Sequence, residues 1–345
     1  MAKQTKKSKG NNRRKWLVGM AIAVLVMVLP CAFYTLSSAP KDATIYVRKG
    51  TTMQQLSDSL KLRLDEGFAS RVITLLRVTG SNMAERHGAF KIKEGESALH
   101  VAHRLRSGAP DAIKFTFNNV RTKDEWVKRA GELYMVGADA FKNALNDSAL
   151  CAQYGKTPDN IVNLLIPDSY EFYWDVTPEQ MLDKMKKYYD EFWNSTRRAQ
   201  AKALGLTPDE VEIIASITEE ETAKADERGK VGRLYINRFK SGMRLQADPT
   251  VKYAIGDFSI KRLTHDMLQT QSPYNTYRVN GLPPGPIRLP EKSTIDAILG
   301  SKPHSFMYMC AKSDFSGYHD FTTDYQAHLN NAHKYQEALN HRGIK

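Results

Sequence analysis

The chain has 345 residues, enough for two or three compact units, and carries a formal charge of +12 with 41% hydrophobic residues. Lys3, Lys6, Lys7, Lys9, Arg13, Arg14 and Lys15 cluster at the start with no acid among them, which leaves only +5 scattered over the remainder. Without zinc-finger spacing or an RNA-binding aromatic signature, that residual charge argues against a nucleic-acid partner.

The basic tail (1–15) abuts WLVGMAIAVLVMVLPCAFYTL (16–36), a mostly apolar run. Its length predicts a transmembrane helix over 16–38. A cleavable signal peptide is the rival reading, but the run is long and SSAP (37–40) is a weak cleavage site. The cationic flank predicts a cytoplasmic N-terminus and puts everything beyond about residue 40 on the exported side. The expected location is thus the inner or cytoplasmic membrane, single-pass, with the rest periplasmic or extracytoplasmic. Cys31 follows Pro30, a poor fit to a lipoprotein site, and is read as part of the apolar helix. Cys151 and Cys310 lie where disulfides are permitted, and are read as buried thiols.

Two segments match at an offset of 45 residues: IYVRKGTTMQQLSDSL (45–60) and FKIKEGESALHVAHRL (90–105). Each predicts a strand, a glycine turn and an amphipathic helix opened by Thr51/Thr52 or Ser97. With a further helix between them (68–80), they form a small duplicated α+β module over 43–110. A linking part (111–205) follows, with a strand at 112–119 and helices at 123–134 and 138–147. An aromatic-rich loop or strand begins 164–195, and Thr177-Pro178 then opens a long helix. Its Tyr188, Tyr189, Phe192 and Trp193 are read as core.

The last part (206–345) starts at LTPDEVEIIASITEEET, where Thr207 caps and Pro208 enters a helix favoured by Asp209 and Glu210. Beyond about 243, loops rich in Pro and Gly suit the positioning of side chains. A short helix is predicted at 293–303 and a buried strand at 306–312. The fold class is α+β.

Three glutamates, Glu219, Glu220 and Glu221, follow an apolar run. On a helical wheel Glu221 returns to the face of Ile213 and Ile217, so its carboxylate is expected to be buried and held by Arg228, Arg233 or a backbone amide. Glu219 follows Ala215 on a small-residue flank, where a groove could admit ligand. The rival reading is an acidic helix end paired with Lys224, Arg228 and Lys230. His319, His328 and His333 lack zinc-protease spacing, so neither metal nor cofactor is expected.

ASITEEET, YINRFKSGMRLQADPTVKYAIG, SPYNTY, GLPPGPI and HDFTTDYQAH run in order from about 213 to 328, with IPDSYEF (166–172) upstream. In this combination the chain resembles the YceG-like family of endolytic murein transglycosylases, and the duplicated module resembles LysM. The resemblance covers essentially the whole chain. It departs at Glu220, commonly basic, and at IRLPEKSTIDA, which replaces an asparagine–proline–glycine turn. It implies a lytic transglycosylase cutting the MurNAc-β-1,4-GlcNAc bond of nascent peptidoglycan strands to 1,6-anhydroMurNAc ends. Such an enzyme would terminate glycan polymerisation near the membrane, with peptidoglycan synthases as partners. The family's catalytic acid falls on Glu219 and its second acid on Glu221. Gln246, Asn275 and Tyr277 are then suited to N-acetyl groups and sugar hydroxyls, and Asp248 either binds substrate or caps a helix. GLPPGPI is expected to wall the cleft. A hydrolase with Asp248 or Glu221 as second carboxylate, and a non-catalytic wall-binding scaffold, are the alternatives.

Overall fold

A computed structural model describes residues 7–342, without the side chains of 7–13, 25–27, 29–31 and 33; Cys31 and much of the apolar run lie among those. Helix α1 (Lys7–Leu36) runs through the expected membrane span. Among the described residues no helix is long and apolar enough to cross a membrane, so the expected transmembrane helix has no support from them. The chain divides into two compact units, Met1–Ile113 with Glu171–Asp175, and Lys114–Tyr170 with Val176–Lys345.

In the first unit, β1 (Ala43–Val47), α2 (Met53–Arg63), α3 (Glu66–Val78), β2 (Gly88–Ile92) and α4 (Ala98–Ser107) follow in order. The 45-residue repeat appears as two strand–turn–helix passes. Their strands pair antiparallel about the equivalent residues Ile45 and Phe90, which stand opposite each other at the centre of the pair. Gly50 and Gly95 occupy the same left-handed turn position (φ 83° and 82°), which explains why both passes need glycine there. Thr52 accepts from Gln55 N in a capping box, and Ser97 accepts from His100 N. Ile45, Val47, Leu56, Leu60, Phe68, Leu76, Phe90 and Leu105 close one core. Trp174, from the returning segment, sits 4.8 Å from Tyr46 between ring centroids.

Strands β3 (Ile113–Phe117) and β4 (Asp168–Phe172), most of whose residues belong to the second unit, pair with each other. Helices α5 (Lys123–Leu133), α6 (Gly137–Asn146) and α7 (Ser148–Gln153) lie between them in sequence. Phe115, Phe117, Trp126, Tyr134 and Phe141 meet largely edge-to-face in the core, a geometry that their ring quadrupoles favour. Helix α8 (Pro178–Phe192) is capped by Thr177, as expected. Tyr189, Phe192 and Trp193 are buried, but Tyr188 stays 38% exposed, because it lies on the outer side of that helix.

After α9 (Ser195–Ala203) come α10 (Pro208–Glu221), α11 (Arg228–Lys240), α12 (Asp248–Ile255) and α13 (Lys292–Leu299). Gly232 lets α11 approach α13 closely, since a Cβ there would lie 2.5 Å from Ile298 Cγ1. Strands β5 (Tyr308–Ala311) and β6 (His319–Thr322) form a hairpin, and α14 (Tyr325–His341) ends the described chain. The strand expected to be buried is half-exposed, because a two-stranded hairpin covers only one of its faces. Cys151 is buried, Cys310 half-buried, and both are free thiols.

Candidate active site

Helix α10 begins with a capping box in which Thr207 accepts from Glu210 N and Glu210 accepts from Thr207 N, with Pro208 at the first turn. Residues 211–219 of this helix are buried, and Glu221 is its last residue. The helix end opens on a cavity of about 300 Å³. Glu221, Tyr235 and Arg238 of α11, Gln246, Asp248, Tyr277 and His328 all line it.

Tyr235 Oη donates to Glu221 Oε1 at 2.8 Å. Glu221 is half-buried and reaches the cavity from a site otherwise enclosed by protein. Burial pushes its carboxyl up to about 7, and nearby Asp248 adds to the rise. The Tyr235 hydrogen bond, His319 and Arg238 oppose it. Across the cavity Tyr277 Oη donates to Asp248 Oδ1 at 2.5 Å, so Asp248, in the first turn of α12, spends its side chain on Tyr277 rather than on a cap. Gln246 holds a left-handed backbone (φ 49°), strain of about 1–3 kcal/mol, with its N–H donated to Thr276 O. Arg238 donates to Leu245 O and Met307 O at 2.6 Å each, which ties the Gln246 loop to the strand hairpin.

Glu219 lies elsewhere. Its side chain is 1% exposed, with Arg288 Nε 3.0 Å and Arg228 Nη1 3.8 Å away. Thr294 Oγ1 and Glu291 N donate to its Oε1 at 2.5 and 2.7 Å. Burial raises the Glu219 carboxyl, against the pull of all four donors. Glu220 accepts both Arg121 and Arg288.

The YceG-like family model matches residues 45–334 of this sequence. The chain belongs to the YceG-like family. Curated relatives include a Bacillus subtilis protein named endolytic murein transglycosylase, 33% identical over 179 residues, which are 52% of this chain and 49% of that protein. A Streptococcus pneumoniae protein of the same name is 30% identical over 307 residues, covering 80% of this chain and 55% of its own. This YceG-like chain thus spans about half the length of those relatives. The crystal structure of a YceG-like protein from Listeria monocytogenes shares the fold with a TM-score of 0.53 at 22% identity, covering 84% of this chain and 98% of that one.

Of the residues expected at the site of this YceG-like chain, the structure brings Glu221, Gln246, Asp248 and Tyr277 to one cavity. Glu219 is not among its lining residues. The small-residue flank read as a groove is instead packed: Ala215 is fully buried, and Ile287 N donates to Ser216 Oγ at 3.0 Å. GLPPGPI therefore lies against α10 and does not line the cavity. Asn275 is fully buried, its amide donating to Leu268 O and Thr270 O while its Oδ1 accepts from Tyr277 N. It shapes the loop that delivers Tyr277. Arg228 and Arg233, expected to hold Glu221, do not; Tyr235 does.

Tyr235, Arg238 and His328 line the cavity without having been singled out for it. Tyr235 and Arg238 stand inside the quoted YINRF and His328 inside HDFTTDYQAH, but nothing in their spacing from Glu221 points to contact. His328 stacks on Tyr308 at 5.4 Å, and its buried Nδ1 has no hydrogen-bond partner among the described residues. His319 instead contacts Glu227 at 2.8 Å, and exposed His333 contacts Glu337. Among the described residues no three His, Cys, Asp or Glu side chains are grouped to hold a metal ion.

Proposed function

We propose that this protein cleaves the glycan strands of murein as a lytic transglycosylase, with Glu221 as its single acid and base. The observation that carries the reading is the Glu221 carboxyl: enclosed, open to a polar cavity, and raised to about 7. A group so tuned is poised to give a proton and take it back near neutrality. Tyr235 occupies Oε1, which leaves Oε2 to carry the transferable proton.

Protonated Glu221 gives its proton to the glycosidic oxygen as the MurNAc C1–O bond breaks. The resulting carboxylate then takes the proton of the muramic acid C6 hydroxyl while that oxygen bonds to C1, closing a 1,6-anhydro ring. The second step is intramolecular and gains from proximity. Gln246 and Tyr277 are suited to hold N-acetyl and hydroxyl groups beside the acid. The names of the curated relatives support the same reaction.

Asp248 in the same cavity keeps a second reading alive, a hydrolase in which it activates water. Its Oδ1 already accepts from Tyr277, which favours a positioning role. Mass spectrometry of products from purified peptidoglycan decides: anhydro ends are expected, and reducing ends would establish the hydrolase.

The uncharged run 16–36 and the cations before it support a single-pass anchor with an inside N-terminus, the enzyme acting on new strands at the membrane beside their synthases. Protease added to intact spheroplasts should digest the region beyond residue 40; full protection would overturn that orientation.

A further inference from the structure

The first unit contains a cleft that the proposed reaction does not use. It measures about 540 Å³ and is lined by Tyr46, Arg48, Gln55, Ser59, Arg63 and Trp174 among others. Gln55, Ser59 and Arg63 recur every four residues on α2, so they form one stripe along its length. Opposite the stripe, the rings of Tyr46 and Trp174 stand 4.8 Å apart at 42°. Each ring carries a guanidinium: Arg63 lies 5.2 Å from the Tyr46 centroid and Arg48 5.9 Å from that of Trp174.

Among the described residues neither Arg48 nor Arg63 has a carboxylate partner, and no acid lines the cleft. Lys49, at the rim, meets Glu85 at 3.3 Å, but both are largely exposed. Two guanidiniums gathered over a tilted pair of rings, with no carboxylate lining the cleft, complement an anion. Gln55, whose Oε1 accepts from Thr52 N, keeps its Nε2 amide for a ligand, and Ser59 adds a hydroxyl; both are of the kind that peptide amides match. The aromatic pair offers a surface for short aliphatic side chains.

We propose that this cleft binds the acidic peptide stems carried by murein strands, a contact separate from any sugar contact at Glu221. The stem's free carboxylates would pair with Arg48 and Arg63, its amides would meet Gln55 and Ser59, and its methyl groups would lie on Tyr46 and Trp174. The inference rests on murein being the substrate. It adds that the polymer is recognised through its peptide as well as its sugars.

The test uses the full chain in detergent and titration calorimetry with three probes: a synthetic stem peptide with free carboxylates, the same peptide amidated, and vesicles of anionic phospholipid. The free peptide should bind, and amidation should weaken it at least tenfold. Arg63→Glu and Gln55→Glu, both on the exposed face of α2, should each weaken it at least tenfold with unchanged circular dichroism. Equal binding of free and amidated peptide, or wild-type binding by both variants, would overturn the proposal. So would binding to vesicles without binding to peptide, which would make the cleft a lipid-facing patch. Product analysis on glycan strands stripped of their peptides reads the activity independently. Anhydro products there with no stem binding would sink the cleft alone, and stem binding without anhydro products would sink the transglycosylase alone.

Discussion

The two sides of the α10 terminus carry the same side chain two positions apart, in environments of opposite design. Around Glu219 stand Arg288, Arg228, Thr294 and the Glu291 N–H, every one a donor suited to a fixed anion. Around Glu221 stand one tyrosine hydroxyl, a second acid, the Arg238 guanidinium and an open cavity. Residues two apart on a helix point about 200° from each other, so one turn can serve both sides without interference. Burial raises both carboxyls, but only Glu221 has room beside it for a reacting bond. Proton affinity alone does not separate the two, and access is the ground on which Glu221 is proposed as the acid.

The sharpest way to break this comparison is to neutralise each acid in turn. Glu221→Gln keeps the shape but removes the proton, so cleavage should fall about 10²–10⁴-fold, measured by release of soluble products at pH 6–8, with little change in melting temperature. Glu219→Gln should do the reverse. It leaves Arg288 and Arg228 short of a charge, although Glu220 and Glu291 still hold them. A loss of about 2–3 kcal/mol in denaturant titration is expected, with most activity kept per folded molecule. An inactive Glu219→Gln beside an active Glu221→Gln would invert the assignment.

A third glutamate of the same helix provides a control without access. Glu212 is 1% exposed, accepts from Trp193 Nε1 at 2.6 Å, and burial holds its carboxyl well above the ordinary range. Its folded proton affinity exceeds the unfolded one, so its contribution to stability is complete below about 4.5 and declines as pH rises through the raised folded value. The slope is about 1.4 kcal/mol per unit over that window. Glu212→Gln keeps an acceptor for Trp193 and should flatten this decline in melting experiments between pH 5 and 9, leaving activity unchanged.

The smallest effect expected is a displacement. Asp248 raises the proton affinity of Glu221, so Asp248→Asn should move the alkaline limb of the pH–rate profile, centred near 7, to lower pH. An unmoved limb would mean that Asp248 is not an electrostatic neighbour of the working acid.

Much of the architecture was legible because local signals agreed with one another. Thr177-Pro178 and Thr207-Pro208 open helices where expected, and the 45-residue repeat resolves into paired strands. Gln246, Asp248 and Tyr277, singled out in the sequence, do line one cavity. That Glu221 reaches it and Glu219 does not was not legible, since a wheel reports which residues share a face but not what the face meets. A small-residue flank invites close packing as readily as it admits ligand, and here α13 and the 286–291 loop take it. Glu221, on the face of Ile213 and Ile217, is only half-buried because the helix stops there and opens on the cavity, and Tyr235 reaches it from 14 residues further along the chain. Such long-range contacts leave no periodic trace.

The returning segment Glu171–Asp175 has a consequence for how the first unit is made. Trp174 joins Tyr46 across 128 residues of chain, and Asp175 bonds His87 across 88. During synthesis the strands and helices of residues 43–107 can assemble as soon as they emerge, but the aromatic pair waits for a far later stretch of chain. Closing so long a loop is entropically slow, and topologies rich in distant contacts fold late. Newly made chains should therefore pass through a stage in which the first core is set and Tyr46 is still solvated. No single cut between 113 and 171 can give a fragment that is both continuous and whole.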